Sequence, residues 1–274
     1  MRVALCQIPV STQPTVNLSR IESALTSASE QASDLAIFPE GSQVRFSADL
    51  SAAAEPLDGP FCTGLSRAAR ISGVALIAGV FEPAHDHLVY NTTVAFDATG
   101  QLVAAYRKIH LFDALGQRES ETVAPGSDVV IADLAGLRVG ILTCYDVRFP
   151  ELARALTVRG ADMIAIPSAW AAGLFKEEHW VTLVRARAIE NTIWVAAAGQ
   201  VPDPGEPATK APTGVGRSLL VDPMGTARLD LGSSAGVSSG VVDTEVTAKV
   251  RTVLPSLRHR RPDLFAELEL ATPS

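Results

Sequence analysis

Two spacings of apolar residues alternate along the chain. Short apolar runs bounded by Gly, Pro or polar pairs mark strands, and stretches with an apolar residue every three or four positions mark helices. "RVALCQI" (residues 2–8) reads as a strand, "TVNLSRIESALTSASEQAS" (15–33) as an amphipathic helix, and "DLAIFPE" (34–40) as a buried strand ended by proline. "FCTGLSRAARISG" (61–73) is a second helix stopped at Gly73, and "VALIAGVF" (74–81) a third strand. "YNTTVAFDATGQLVAAYRK" (90–108) then reads as two strands around the turn "DATG".

The same order returns in similar wording. "LRVGILTC" echoes "MRVALCQ", the helix "PELARALTVRG" follows, and "ADMIAIPS" echoes "SDLAIFPE". A long helix "KEEHWVTLVRARAIEN", a strand "TIWVAAAGQ" and a hairpin "RSLLVDPMGTARLDL" complete the second series. Corresponding residues lie 136 apart at Arg2 and Arg138, and 119 apart at Val74 and Ile193. A single α-β half leaves one sheet face uncovered, and two equivalent halves bury those faces against each other with helices outside. The expected fold is therefore α/β, a four-layer α-β-β-α sandwich with an internal pseudo-twofold duplication. One domain over residues 1–274 is expected, because no linker interrupts the pattern. The Pro- and Gly-rich stretch 201–216 is expected to be a long surface loop close to a functional site.

Composition narrows the partners. The 274 residues are 47% hydrophobic with a formal net charge of -7, and the basic cluster at 258–261 is short, which argues against nucleic acid. No apolar run approaches the roughly 18–20 residues that span a bilayer, and the first twenty residues lack a secretory pattern. A cytoplasmic protein with a small-molecule partner is expected. Three widely spaced cysteines form neither a disulfide framework nor a metal pattern, and His85 with His87 reads as a solvated turn. No cofactor or metal is expected.

The strand ends carry the candidate chemistry. Glu40, Lys108 and Cys144 each follow an apolar strand run, and the carboxyl ends of strands are where α/β folds gather functional groups. A thiol attacking a carbonyl or nitrile carbon needs a base, which Glu40 offers, and an oxyanion partner, which Lys108 and the Tyr145 amide offer. The helix beginning at "FPEL", with Lys108, is expected to favour a thiolate at Cys144. Each residue alone has an ordinary structural explanation: a buried small residue for Cys144, a snorkelling charge for Lys108, a cap for Glu40. Cys6 and Cys62 have no charged partner in sequence and read as core. His110, two residues beyond Lys108, is a competing base in a Cys/His pair, and no GxSxG elbow is present.

With these residues in view, the chain resembles the nitrilase superfamily of carbon-nitrogen hydrolases. The resemblance runs nearly end to end through "RVALCQIP", "LAIFPEG", "YRKIHLFD", "RESETVAPG", "TCYDVRFPEL", "RARAIEN" and "GRSLLVDPMG". It implies that Glu40 is the general base, Lys108 the oxyanion-stabilising lysine and Cys144 the nucleophile. It adds Glu119 as a second glutamate that supports the lysine and positions substrate, while Glu121 stays a surface charge. Hydrolysis of an amide through a thioester is the implied reaction, without metal or organic cofactor, in a homodimer or higher homo-oligomer. The wording is most similar to the Nit group, whose substrates are small ω-amides carrying a carboxylate. Arg148 is the expected partner of that carboxylate, and Ser168, Ala169 and Trp170 are expected around the substrate or oxyanion. The segment "PSAWAAGLFKEEHW" departs from the group's usual wording, so nitriles and N-carbamoyl compounds stay open as substrates. A non-catalytic binding protein on the same fold is the alternative of another class.

Overall fold

In the computed structural model, residues 1–207 and 211–265 are described; part of the 201–216 loop, residues 208–210, lies outside them. The first half runs β1 (Arg2–Gln7), α1 (Pro14–Glu30), β2 (Leu35–Ile37), a short α2 (Leu50–Ala53), α3 (Pro60–Ser72), β3 (Ala75–Pro83), β4 (Val89–Phe96) and β5 (Leu102–Arg107). After β6 (Val123–Ala124) and β7 (Ile131–Leu134), the second half runs β8 (Leu137–Ile141), α4 (Pro150–Val158), β9 (Met163–Ser168), α5 (Lys176–Asn191), β10 (Trp194–Gly199), β11 (Leu219–Val221) and β12 (Ala227–Asp230). β13 (Gly236–Val241), α6 (Thr244–Val253) and α7 (Pro262–Phe265) follow.

The strand order shows the duplication. One sheet is ordered β13-β1-β2-β3-β4-β5, with β6 added beside β4, and the other β7-β8-β9-β10-β11-β12. In each, three parallel strands (β1-β2-β3, β8-β9-β10) are extended by an antiparallel hairpin, and an antiparallel strand flanks the far edge. Even side-chain bonds repeat. Asp34 donates its N–H to Arg2 O at 2.8 Å and accepts the Arg2 N–H at 2.7 Å; Asp162 does both with Arg138, at 2.8 and 2.9 Å.

Strand alternation assigns the layers. Val3, Leu5, Leu35, Ile37 and Ile77 point between the sheets, into one core with Val139, Ile141 and Met163 of the second sheet. Their neighbours Ala4, Cys6, Ala36, Phe38 and Leu76 point the other way, under Ile21 and Leu25 of α1 and Phe61 and Leu65 of α3. Leu152 and Leu156 of α4 and Trp180 and Val184 of α5 cover the second sheet. Truncating one such side chain to alanine costs about 2–5 kcal/mol.

The first helix ends three residues before the sequence pattern does. Ala32 takes the left-handed conformation (φ 53°) and the Ser33 N–H reaches back to Ala28 O, which closes the helix. β13, "GVSSGV", carries no apolar run. It is a strand because β1 offers it an antiparallel edge from Arg2 to Gln7. Among the described residues no helix is long and apolar enough to cross a membrane, and no cluster of ligating side chains suits a metal ion.

Candidate active site

Three chain segments deliver the reactive groups to one cavity of about 140 Å³, lined by Glu40, Lys108, Glu119 and Cys144 among others. Glu40 stands three residues past β2, in a turn that packs tightly on β3. A Cβ at Gly79 would lie 2.3 Å from Gly41 N and 2.9 Å from Glu40 Cα, so only glycine lets the strand pass beneath this backbone. Gln200 Nε2 donates to Glu40 O at 2.6 Å. The carboxylate is held at both oxygens: Oε1 accepts from Lys108 Nζ (2.9 Å) and Asn91 Nδ2 (2.8 Å), and Oε2 from the Ala169 N–H (2.9 Å).

Lys108 leaves the end of β5 with its N–H still bonded to Asn91 O on β4, and its side chain is only 2% exposed. Its ammonium also donates to both oxygens of Glu119, at 2.9 and 2.8 Å. Burial alone would lower this lysine's pKa, but Glu119 and then Glu40 outweigh it and hold the pKa well above its ordinary value. Lys108 is therefore a fixed cation, suited to stabilise negative charge and unsuited to act as a base. Glu119 sits on a 3-10 turn (Glu119–Glu121) and is oriented by the Phe112 N–H at 2.7 Å, while Glu121 faces solvent beside Arg118. Asn91, absent from the sequence expectations, joins the two carboxylates by donating to Glu40 and, at 3.2 Å, to Glu119. Its one sequence signal is a polar amide within the apolar strand β4.

Cys144 opens a 3-10 turn (Cys144–Arg148) three residues past β8, with φ at 47°. A non-glycine residue there costs on the order of 1–2 kcal/mol, so the surroundings must impose it. Asp146, fully buried, does so. It accepts from the Thr143 N–H (2.9 Å), Tyr106 OH (2.6 Å), the His110 N–H (3.0 Å) and pairs with His110 Nδ1 (2.8 Å). His110 also stacks on Phe149 at 3.7 Å. The imidazole thus braces the Cys144 turn and lies outside the cavity lining, which removes the Cys/His pair.

The expected thiolate is not the resting form. Burial pushes the Cys144 thiol far above its ordinary pKa, Glu40 pushes the same way by its charge, and Lys108 and Ser168 oppose them without prevailing. Cys6 is raised by burial alone and Cys62 is pushed up to about 12, by burial first; neither lines the cavity.

The remaining expectations divide. Tyr145, Ala169 and Trp170 line the cavity, and so do Ala211 and Pro212 of the 201–216 loop. The Ala169 N–H is already bonded to Glu40, so it orients the carboxylate and is not free for an oxyanion. Ser168 is not among the lining residues; its Oγ is buried without a hydrogen-bond partner of normal geometry among the described residues, close enough to the Cys144 thiol to lower its pKa. Arg148 does not reach the cavity. Its guanidinium lies 5.0 Å from the Trp170 ring and 5.9 Å from that of Tyr145, beside His179 at 3.4 Å. Chemistry favoured Arg148 as a carboxylate partner, but the turn directs it onto the aromatic rings.

A buried carboxylate-lysine-carboxylate array thus lines one cavity with a cysteine, at the strand ends of a duplicated sandwich. Residues 2–252 match the carbon-nitrogen hydrolase family, and the chain belongs to it. It is an enzyme of C–N bond hydrolysis, the class implied by the nitrilase-superfamily resemblance. A hydrolase of Mycobacterium tuberculosis is 40% identical over 268 residues, 95% of each chain. The deaminated glutathione amidase of Escherichia coli O157:H7 is 34% identical over 265 residues, 95% of this chain and 97% of that one. The amidase of Nesterenkonia sp. AN1 superposes with a TM-score of 0.81 at 26% identity, covering 97% of this chain and 96% of that chain. That structure is of a glutamate-to-glutamine mutant whose active-site cysteine bears the acetamide moiety of fluoroacetamide.

Proposed function

We propose that the protein is a cysteine-dependent amidase that hydrolyses a small linear amide carrying a carboxylate, releasing ammonia through a thioester at Cys144. The observation that carries this reading is the Lys108 ammonium clamped between Glu40 and Glu119 in the cavity that Cys144 faces. Because the thiol rests neutral, attack and proton removal occur together. Sγ bonds to the amide carbon, the thiol proton passes to Glu40, and the carbonyl electrons move to oxygen. The oxyanion forms beside the Lys108 ammonium and the Tyr145 N–H. Negative charge moves from Glu40 to the oxyanion without changing the net charge of the buried site, so no new charge is desolvated.

Glu40 then gives its proton to the amide nitrogen, the C–N bond breaks, and ammonia leaves a thioester. Water attacks the thioester with Glu40 again accepting a proton, and collapse releases the acid and restores the thiol. Glu119 keeps Lys108 charged and aimed throughout. The cavity is small beside the roughly 300–1,000 Å³ typical of drug-sized ligands, in keeping with a short substrate. A cytoplasmic setting and a homodimer or larger assembly belong to the same reading and rest on the family resemblance.

The test is ammonia release from a panel of short ω-amides, N-carbamoyl amino acids and nitriles matched in chain length. Turnover of the ω-amides, lost in Cys144→Ala, supports the reading. Preference for the matched nitrile, or normal turnover by the variant, rejects it.

A further inference from the structure

The cavity contains a second buried cation that the catalytic array does not use. Lys176 begins α5, its residue only 5% exposed, and lines the cavity with Cys144. Its Nζ lies 4.1 Å from the centroid of the Trp170 ring and 4.9 Å from that of Phe112. Trp170 is fixed there by its own Nε1–H, which donates to Lys176 O at 2.6 Å. No carboxylate among the described residues pairs with this ammonium. The other cavity cations are partnered: Lys108 by two glutamates, and Arg118, exposed at the rim, by Glu121.

A buried ammonium without an anion is costly, and aromatic faces offset only part of that cost. Burial and the nearby Arg148 lower the Lys176 pKa, as expected for a cation waiting for a counter-charge. Two negative charges at Glu40 and Glu119 already meet one positive charge at Lys108, so among the described residues of the cavity a substrate anion has a single unpaired, buried cation to approach. We propose that Lys176, and not Arg148, binds the substrate carboxylate, so that the enzyme selects short amides with an anionic far end. The rings of Phe112 and Trp170 flank the ammonium at this contact, in the cavity that Cys144 also lines.

This inference rests on the amidase reading, and its test separates the two. Succinamate and butanamide have the same chain length and differ in the terminal carboxylate. In Lys176→Met, which keeps the apolar stem, KM for succinamate rises about ten- to a hundredfold, the range expected for losing a charge-assisted contact, while kcat and the butanamide kinetics change by less than about threefold. Lys176→Arg recovers most of the succinamate affinity. Succinate binding by calorimetry, which needs no turnover, weakens in Lys176→Met by the same factor. Equal losses on both amides, or unchanged succinamate kinetics and succinate binding, overturn the assignment. If the unmutated enzyme turns over neither amide, the amidase reading fails while the succinate titration still decides Lys176.

Discussion

Matching strands in the two halves end in different chemistry. Glu40 and Ser168 occupy the same place, one residue after the proline that ends "LAIFP" and "IAIP", and Cys144 corresponds to Ile8 after β1. The backbone around these pairs repeats down to the Asp34 and Asp162 bonds, yet the surroundings diverge. Glu40 receives hydrogen bonds from Lys108, Asn91 and Ala169, drawn from both sheets, whereas the Ser168 hydroxyl has no such partner among the described residues. Ile8 is core beside Cys6, and Cys144 is held in a left-handed turn by Asp146. The duplicated scaffold supplies equivalent strand ends. Which end becomes reactive depends on the neighbours that hold its charge, for Glu40 chiefly Lys108 and Asn91 of its own sheet and the Ala169 N–H of the other.

Several substitutions sharpen or break this asymmetry. The largest effect is expected at the sulfur: Cys144→Ala should reduce ammonia release by about 10⁴-fold or more, whereas Ile8→Val at the matching end should leave kcat within about threefold. Comparable losses at both would mean the halves are not functionally distinct. At the second pair, Glu40→Gln should lower kcat by about 10²–10⁴-fold, the range for removing a general base, and Ser168→Ala by less than about tenfold. Stopped-flow or steady-state kinetics on one amide compares them directly, and equal effects would contradict the assignment of the base to one half.

Stability should follow the same division. Lys108→Met leaves two buried carboxylates without their cation and should cost about 3–5 kcal/mol in denaturant unfolding, partly recovered when Glu119→Gln is added. No recovery would mean that the glutamate does not depend on the lysine. A smaller effect is expected where the halves are tied at their surface. Glu206, after β10, accepts from Ser11 Oγ and the Thr12 N–H after β1, which with Arg45 lowers its pKa from 4.5 to about 2. A depressed carboxylate stabilises the fold above the unfolded value, near pH 4.5, and loses that contribution as pH falls towards 2. Glu206→Gln should therefore lower Tm by a few degrees at pH 7, and the difference should shrink as pH falls below about 4.5 and close towards pH 2. A difference that persists at pH 2 would mean that charge is not its source.

Much of the scaffold was legible because it depends on local pattern. α5 matches the 16-residue run "KEEHWVTLVRARAIEN", and "LRVGILTC" beside "MRVALCQ" announces the repeat. Glu40, Lys108 and Cys144 stood out because they follow apolar strands, and Glu119 entered only through the family resemblance. Features created by tertiary contact were not legible. β13 exists because β1 has an open edge, Asn91 matters because two distant glutamates converge on it, and Lys176 looks like an ordinary first-turn lysine until Trp170 and Phe112 close around it. Arg148 has the right chemistry in the wrong direction. The thiolate expectation reversed because desolvation, invisible in sequence, outweighs the nearby cation.

The central claim is that Cys144 is acylated during turnover. Acid-quenching the enzyme with a slow ω-amide and mapping its peptides by mass spectrometry measures this directly. The acyl group should appear on the peptide containing Cys144, and not on those of Cys6 or Cys62, at a level that rises when deacylation is slowed. Turnover without any adduct on that peptide, or an adduct on Cys6 or Cys62 instead, would contradict it.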